Sequence, residues 1–155
     1  MEYKGAIMRD DEIVEALNDL IETDHNAIGA YNTAIDGLED HPNIRDNFIT
    51  FRGDHERHVR ELSPFVRQYG GDPEKKPGGM GVLQKGWTAI SKLGGADAIL
   101  SAMVSNEESA VSAYEAGATK NFPPDILQYV QRGLQDERKH LAYCKAEYER
   151  LKKAA

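Results

Sequence analysis

The chain has 155 residues, 40% of them hydrophobic and 29% charged, enough for one domain with a core of its own. Asp and Glu outnumber Lys and Arg by 26 to 19, a formal net charge of -7, which argues against a nucleic-acid partner. A single cysteine, Cys144, excludes an internal disulfide framework and a thiolate zinc knuckle, and no apolar run is long enough for a membrane span or an export leader, so a cytoplasmic protein with no membrane partner is expected.

From Asp10 and Asp11, acidic N-cap candidates, the residues Ile13, Leu17, Leu20, Ile28, Tyr31, Ile35 and Leu38 recur at helical spacing and predict a first helix to about Glu39. His41-Pro42-Asn43 breaks it, because proline suits a first helical turn but not an interior. A second helix follows with Ile44, Phe48, Phe51, Leu62, Phe65 and Tyr69 in line, until Gly70-Gly71-Asp72-Pro73 stops it. Residues 70–95 are rich in glycine and proline around a short amphipathic piece, Val82 to Leu93, which contains Trp87; this stretch reads as a crossover. Asp97 is a cap candidate for a third helix carrying Leu100, Met103, Ala110 and Tyr114. Asn121-Phe122-Pro123-Pro124 resets the chain, and a fourth helix holds Ile126, Val130, Leu134, Cys144, Tyr148 and Leu151.

These patterns predict an all-α, antiparallel four-helix bundle in up-down-up-down order, one domain over residues 1–155. Hairpin 1 spans about 10–70, the crossover with its short helix about 70–96, and hairpin 2 about 97–153. The hairpins repeat one another. Asp24-x-x-Ala27-x-x-Ala30-Tyr31 matches Glu107-x-x-Ala110-x-x-Ala113-Tyr114, and Asp54-His55-x-x-His58 matches Asp136-Glu137-x-x-His140.

Six ionisable residues interrupt the apolar stripes. His55 and His58 sit on the second helix between Phe51 and Leu62; Glu137 and His140 sit on the fourth between Leu134 and Cys144. Asp24 and Glu107 are single acids on the first and third helices. In each hairpin the acid and the i, i+3 pair are equidistant from the turn, so the six are predicted to lie at one level. Buried charge must be paired or coordinate a cation, and two single carboxylates with two i, i+3 pairs is a dinuclear-metal arrangement. Carboxylate and imidazole donors suit iron, with zinc or manganese as alternatives. The rival reading is a plain polar layer in which His55 and Glu137 form an interhelical hydrogen bond.

Neighbouring residues carry less. Asp54, Glu56, His25, Glu22, Glu108 and Asp136 lie off the stripes and read as solvated faces or supports for the ligands, although Asp54 can swing toward His58. Tyr31 and Tyr114 share the acids' stripes and read as core packing, with a redox or supporting hydrogen-bond role as the alternative. Cys144 reads as a small buried hydrophobe.

The motifs Asp24-x-x-Ala27-x-x-x-Tyr31, Glu107-x-x-Ala110-x-x-x-Tyr114, His58-Val59-Arg60-Glu61-Leu62 and Glu137-x-x-His140-Leu141 resemble the ferritin-like superfamily, rubrerythrin and bacterioferritin especially. The stretches Ala16 to Thr23, Tyr69 to Pro73, Gly86-Trp87 and Ala113 to Ala116 resemble, more closely, a bacterial family of uncharacterised four-helix-bundle proteins with a ferritin-like domain of unknown function. The resemblance implies the fold and a diiron site that reacts with oxygen or peroxide, as in a ferroxidase or peroxide-reducing oxidase. The chain departs from the superfamily pattern at Asp24, which replaces a Glu, and at His55, which replaces a bridging Glu. Three acids then face two divalent ions with one positive charge in excess. A non-enzymatic metal-binding or stress-associated bundle, with zinc or a mononuclear site, is the second expectation, and an interaction protein with a relict polar layer the third. A homodimer is the expected assembly.

Overall fold

Helix punctuation decides where each element begins and ends. The computed structural model describes residues 5–76 and 94–155, and four helices account for most of them: α1 (Asp10–Asp36), α2 (Pro42–Gln68), α3 (Ala96–Ala118) and α4 (Pro124–Ala154). The predicted amphipathic piece with Trp87 lies outside the described residues.

Two predicted caps move. Arg9, not Asp10 or Asp11, is the N-cap of α1, and its backbone N–H donates to the Glu12 carboxylate at 2.8 Å. The acids fall instead in the first turn, where the helix dipole favours negative charge. Gly95, not Asp97, precedes α3, and Asp97 likewise sits in its first turn. Pro42 and Pro124 open their helices, where the missing N–H has no intrahelical partner to lose. α1 ends three residues short of the predicted Glu39, because the amides of Gly37 and Leu38 fold back onto Ala34 and Ile35. A side chain at Gly37 would meet Ile99 at 2.7 Å, so the glycine lets α3 approach this turn.

α1 packs against α2 and α3, and α4 packs against the same two; the diagonal pairs meet through side chains, as where His55 of α2 reaches Glu107 of α3 at 3.5 Å. The directions differ from the predicted up-down-up-down order. On α1, Tyr31 follows Asp24, yet Tyr31 reaches Glu107 while Tyr114 reaches Asp24, which makes α1 and α3 antiparallel. His58 meets Asp136 and His140 meets Asp54, so α2 and α4 are antiparallel too. The order is therefore up, down, down, up. The correction has a physical reason: α2 ends beside the start of α1, with Gly71 against Val14, while α3 starts beside the end of α1, with Ile99 against Gly37. The end of α2 and the start of α3 therefore lie at opposite ends of α1. The residues that follow α2 run along α1, held by Asn18 to the Asp72 carbonyl and the Glu74 amide and by His25 to the Glu74 carbonyl.

The core forms two apolar clusters. One gathers Leu17, Leu20, Ile21, Leu62, Val66, Ile126 and Val130 with Tyr114. The other gathers Ile44, Phe48, Phe51, Leu100, Met103 and Cys144 with Tyr31. Each large side chain removed from water stabilises the bundle by about 1.5–3 kcal/mol. Several predicted stripe members, Ile28, Phe65, Tyr69, Tyr148 and Leu151, are only partly buried. Ala27, Ala30, Ala34 and Val66 take inward positions instead, and the small alanines let α1 come close to its neighbours. Among the described residues no helix is long and apolar enough to cross a membrane.

Candidate metal centre

Helical spacing turns all six predicted residues inward at the boundary between the two clusters. Asp24, His55, Glu107, Glu137 and His140 are wholly buried and His58 is 3% exposed. Their donor atoms form two groups of four, each with all donors within 4.8 Å of one another: Asp24, His55, His58 and Glu137, and His55, Glu107, Glu137 and His140. His55 and Glu137, equivalent positions of the two hairpins, belong to both.

In the first group Asp24 Oδ1 accepts from His55 Nδ1 at 2.8 Å and faces His58 Nδ1 at 3.0 Å. Glu137 Oε1 lies 3.3 Å and 3.4 Å from the same two nitrogens. In the second group Glu107 Oε1 is 3.5 Å from His55 Nε2 and 3.7 Å from His140 Nδ1, and Glu137 Oε2 is 3.5 Å from His140 Nδ1. Glu107 Oε2, both oxygens of Glu137 and the Nδ1 of His140 are buried without a hydrogen-bond partner. A purely structural polar layer would satisfy such atoms, since leaving a buried one unpaired costs about 1–3 kcal/mol. A cation satisfies all of them at once. The donor set, carboxylate oxygen and imidazole nitrogen, fits a divalent first-row metal.

The electrostatics agree. Burial disfavours the charged form of His55, yet Glu137, Asp24 and Glu107 hold its pKa well above the imidazole range. Burial likewise opposes protonation of His58 and His140, and their carboxylate partners again win, with His58 raised to about 12. Burial pushes the Glu137 carboxyl up, but His55, His140 and His58 bring it well below the carboxylate range. Glu107 is raised, chiefly by burial. A cation would displace imidazole protons here.

The supports cross between hairpins. The Tyr31 hydroxyl donates to Glu107 Oε1 and the Tyr114 hydroxyl to Asp24 Oδ2, the latter at 2.6 Å. Burial, then the adjacent carboxylates, keep both phenols neutral and therefore donors. The supporting hydrogen bond, not core packing alone, describes both tyrosines. Asp54 does not swing toward His58: its Oδ2 is 2.8 Å from His140 Nε2, while Asp136 Oδ2 is 2.9 Å from His58 Nε2. Arg57 joins the two acids, 2.6 Å from Asp136 and 3.4 Å from Asp54. Helical spacing does not single out Arg57; the matching positions of Asp54 and Asp136 in the repeat are the available sign of paired roles. His25 is used on the outer face, and Glu22, Glu56 and Glu108 stand outside both groups. Cys144 is buried in the apolar cluster, its thiol pushed up by burial.

A family model described as a domain of unknown function, DUF2383, matches residues 12–120. No curated protein matches the chain. The matched stretch holds Asp24, His55, His58 and Glu107 and ends before Glu137 and His140.

Proposed function

The chain belongs to the DUF2383 family, and on its two half-sites we propose that it is a ferritin-like dinuclear metal protein with iron as the physiological ion. The observation that carries this reading is the set of buried, unpartnered donors on Glu107, Glu137 and His140. The pairing of the hairpins supports it, since a single acid from each of two helices, with an i, i+3 pair from each of the other two, is the ferritin-like plan, here with His55 in place of one carboxylate. Asp24, His55, His58, Glu107, Glu137 and His140 are the proposed ligands.

Two reduced irons would supply one electron each to oxygen or peroxide. The chain's own residues do the rest. Asp54 and Asp136 hold the outward Nε2 of His140 and His58, which turns each Nδ1 inward. Tyr31 and Tyr114 fix one oxygen of each single acid and leave the other free to coordinate or, on Asp24, to receive the imidazoles. The apolar clusters on both sides exclude bulk water. The excess positive charge left by three acids and two divalent ions is offset nearby, because Asp54 and Asp136 together with Arg57 add one net negative charge.

Protein prepared without a metal-affinity column and titrated anaerobically with Fe(II) is expected to take two equivalents per chain and to change its near-ultraviolet absorbance when oxygen or peroxide is admitted. Failure to bind iron sinks the proposal. Binding with a large rise in Tm but no reaction favours the second reading, a bundle whose metal stabilises the native state by preferring it.

A further inference from the structure

The two donor groups share His55 and Glu137 but differ in how their other atoms are engaged. On Asp24 itself the hydrogen bonding is complete: Oδ1 faces His55 Nδ1 and His58 Nδ1, and Oδ2 receives the Tyr114 hydroxyl. The 2.8 Å and 3.0 Å contacts there are ordinary hydrogen-bond lengths. In the Glu107 group Glu107 Oε2 and His140 Nδ1 have no partner, and neither Glu137 oxygen has one to give up. Donor separations of 3.5 Å to 3.7 Å on that side lie near the ~3.4 Å edge of a tetrahedron with ~2.1 Å metal bonds, as do those of the shared Glu137 Oε1, 3.3 Å and 3.4 Å from the His55 and His58 Nδ1, so the contacts contracted to hydrogen bonds are those of Asp24 alone.

His55 breaks the tie between the groups. Its Nδ1 is held by Asp24 at 2.8 Å, and a hydrogen bond at one ring nitrogen selects the other for coordination. The other nitrogen, Nε2, makes only a long 3.5 Å contact, with Glu107 Oε1.

We infer that the two metal positions are inequivalent: Glu107, Glu137, His140 and the Nε2 of His55 form a four-donor site that takes a divalent cation first and tightly, while Asp24 and His58, sharing Glu137, form a weaker second site. The inference rests on the metal reading above and adds the order of filling. Filling the second site requires Asp24 to give up its bond to His55, and an exchangeable ion belongs there. The internal repeat indicates what would equalise the two, because the hairpin-2 counterpart of His55 is Glu137. His55→Glu supplies a second carboxylate able to serve both positions and removes the shorter of the two imidazole contacts on Asp24 Oδ1.

The test is calorimetric titration of the full chain with Zn(II), followed in parallel by Co(II) visible absorption, which reports four-coordinate geometry independently of any reaction. Two steps separated at least tenfold in affinity are expected, the tighter giving the intense absorption. Glu107→Gln should remove the tight step, Asp24→Asn only the weak one, and His55→Glu should bring the two within about threefold. If Asp24→Asn does not fold, His58→Gln reads the same weak step. Two equal steps in the natural protein, or loss of the tight step in Asp24→Asn or His58→Gln, overturns the order while leaving a dinuclear site standing. No binding of either ion overturns this inference together with the metal reading.

Discussion

The two ends of the core treat the same tyrosine differently. Tyr31 stands among aromatic rings, 5.1 Å from Phe48 and 6.3 Å from Phe51 between centroids, and Phe51 lies 4.3 Å from His140 and 5.3 Å from Tyr143. Tyr114 lies in the more aliphatic cluster, with the His58 ring at 5.4 Å and Gly133 beneath it, where an added Cβ would come within 2.4 Å of its ring. In the repeat Phe48 corresponds to Val130 and Phe51 to Gly133. Both hydroxyls nevertheless reach the opposite hairpin's acid. The repeat keeps the polar connection and lets the filling vary, because a hydrogen bond constrains one direction while apolar packing only needs volume.

Phe51→Ala tests the aromatic end and should have the largest effect. It opens a cavity beside the His140 and Tyr31 rings and should cost about 3–5 kcal/mol by urea denaturation. A loss below about 1 kcal/mol would mean that the aromatic cluster adds nothing particular to that end.

The polar layer between the ends sets the pH response. His55, His58 and His140 have raised pKa values, so their contribution to stability is fully present below the unfolded value of about 6.5 and is lost as pH rises through the folded values. Glu137 is lowered, so its contribution is present above about 4.5 and is lost in acid. From these groups the metal-free Tm should be highest between about pH 4.5 and 6.5 and fall above it. A cation displaces the imidazole protons, so its affinity should rise about tenfold per pH unit per proton released. The Tm increment on adding Zn(II) should therefore widen from pH 6 to pH 8; a constant increment would show that the ion does not bind at the imidazoles.

Two glycines sharpen the comparison at the smallest scale. Gly53→Ala meets nothing within 4 Å and should stabilise α2 by about 0.5–1 kcal/mol, since alanine is the better helix former. Gly133→Ala should reverse that sign, by about 1–3 kcal/mol, because the methyl strikes the Tyr114 ring. Equal and favourable shifts in thermal melts would show that Tyr114 moves aside freely.

Much of this architecture was readable from spacing alone. A helix stripe reports which residues face inward, so Asp24, Glu107 and both i, i+3 pairs could be placed on the buried side from their positions between apolar neighbours. Equal distance from each turn reports height. Neither quantity reports the direction in which a second hairpin docks, which is why the order of α3 and α4 had to come from the structure. A clue was present in the crossover: a 27-residue helix is about 40 Å long, and a connection of some 25 residues is long enough to travel it, whereas a local turn would need far fewer. The partners of Asp54, Asp136 and Arg57 were out of reach for a related reason. Their contacts run between α2 and α4, and pattern within one helix says nothing about which groove of the next receives a side chain.

The antiparallel docking of the two hairpins also bears on how the molecule comes together. Within the first hairpin Asp24 meets His55 and His58 across 31 and 34 residues, while Tyr31 with Glu107, Tyr114 with Asp24, and the two Asp–His pairs between α2 and α4 close loops of 76 to 90 residues. Closing long loops is entropically unfavourable until many contacts reward it, so local hairpins are the early products of folding and the ring of acids and imidazoles a late one. Each hairpin on its own carries only half a cage, and the hydroxyl of its tyrosine finds its acid only on the other hairpin. The ligand layer is thus the seam where two independently formed halves recognise each other.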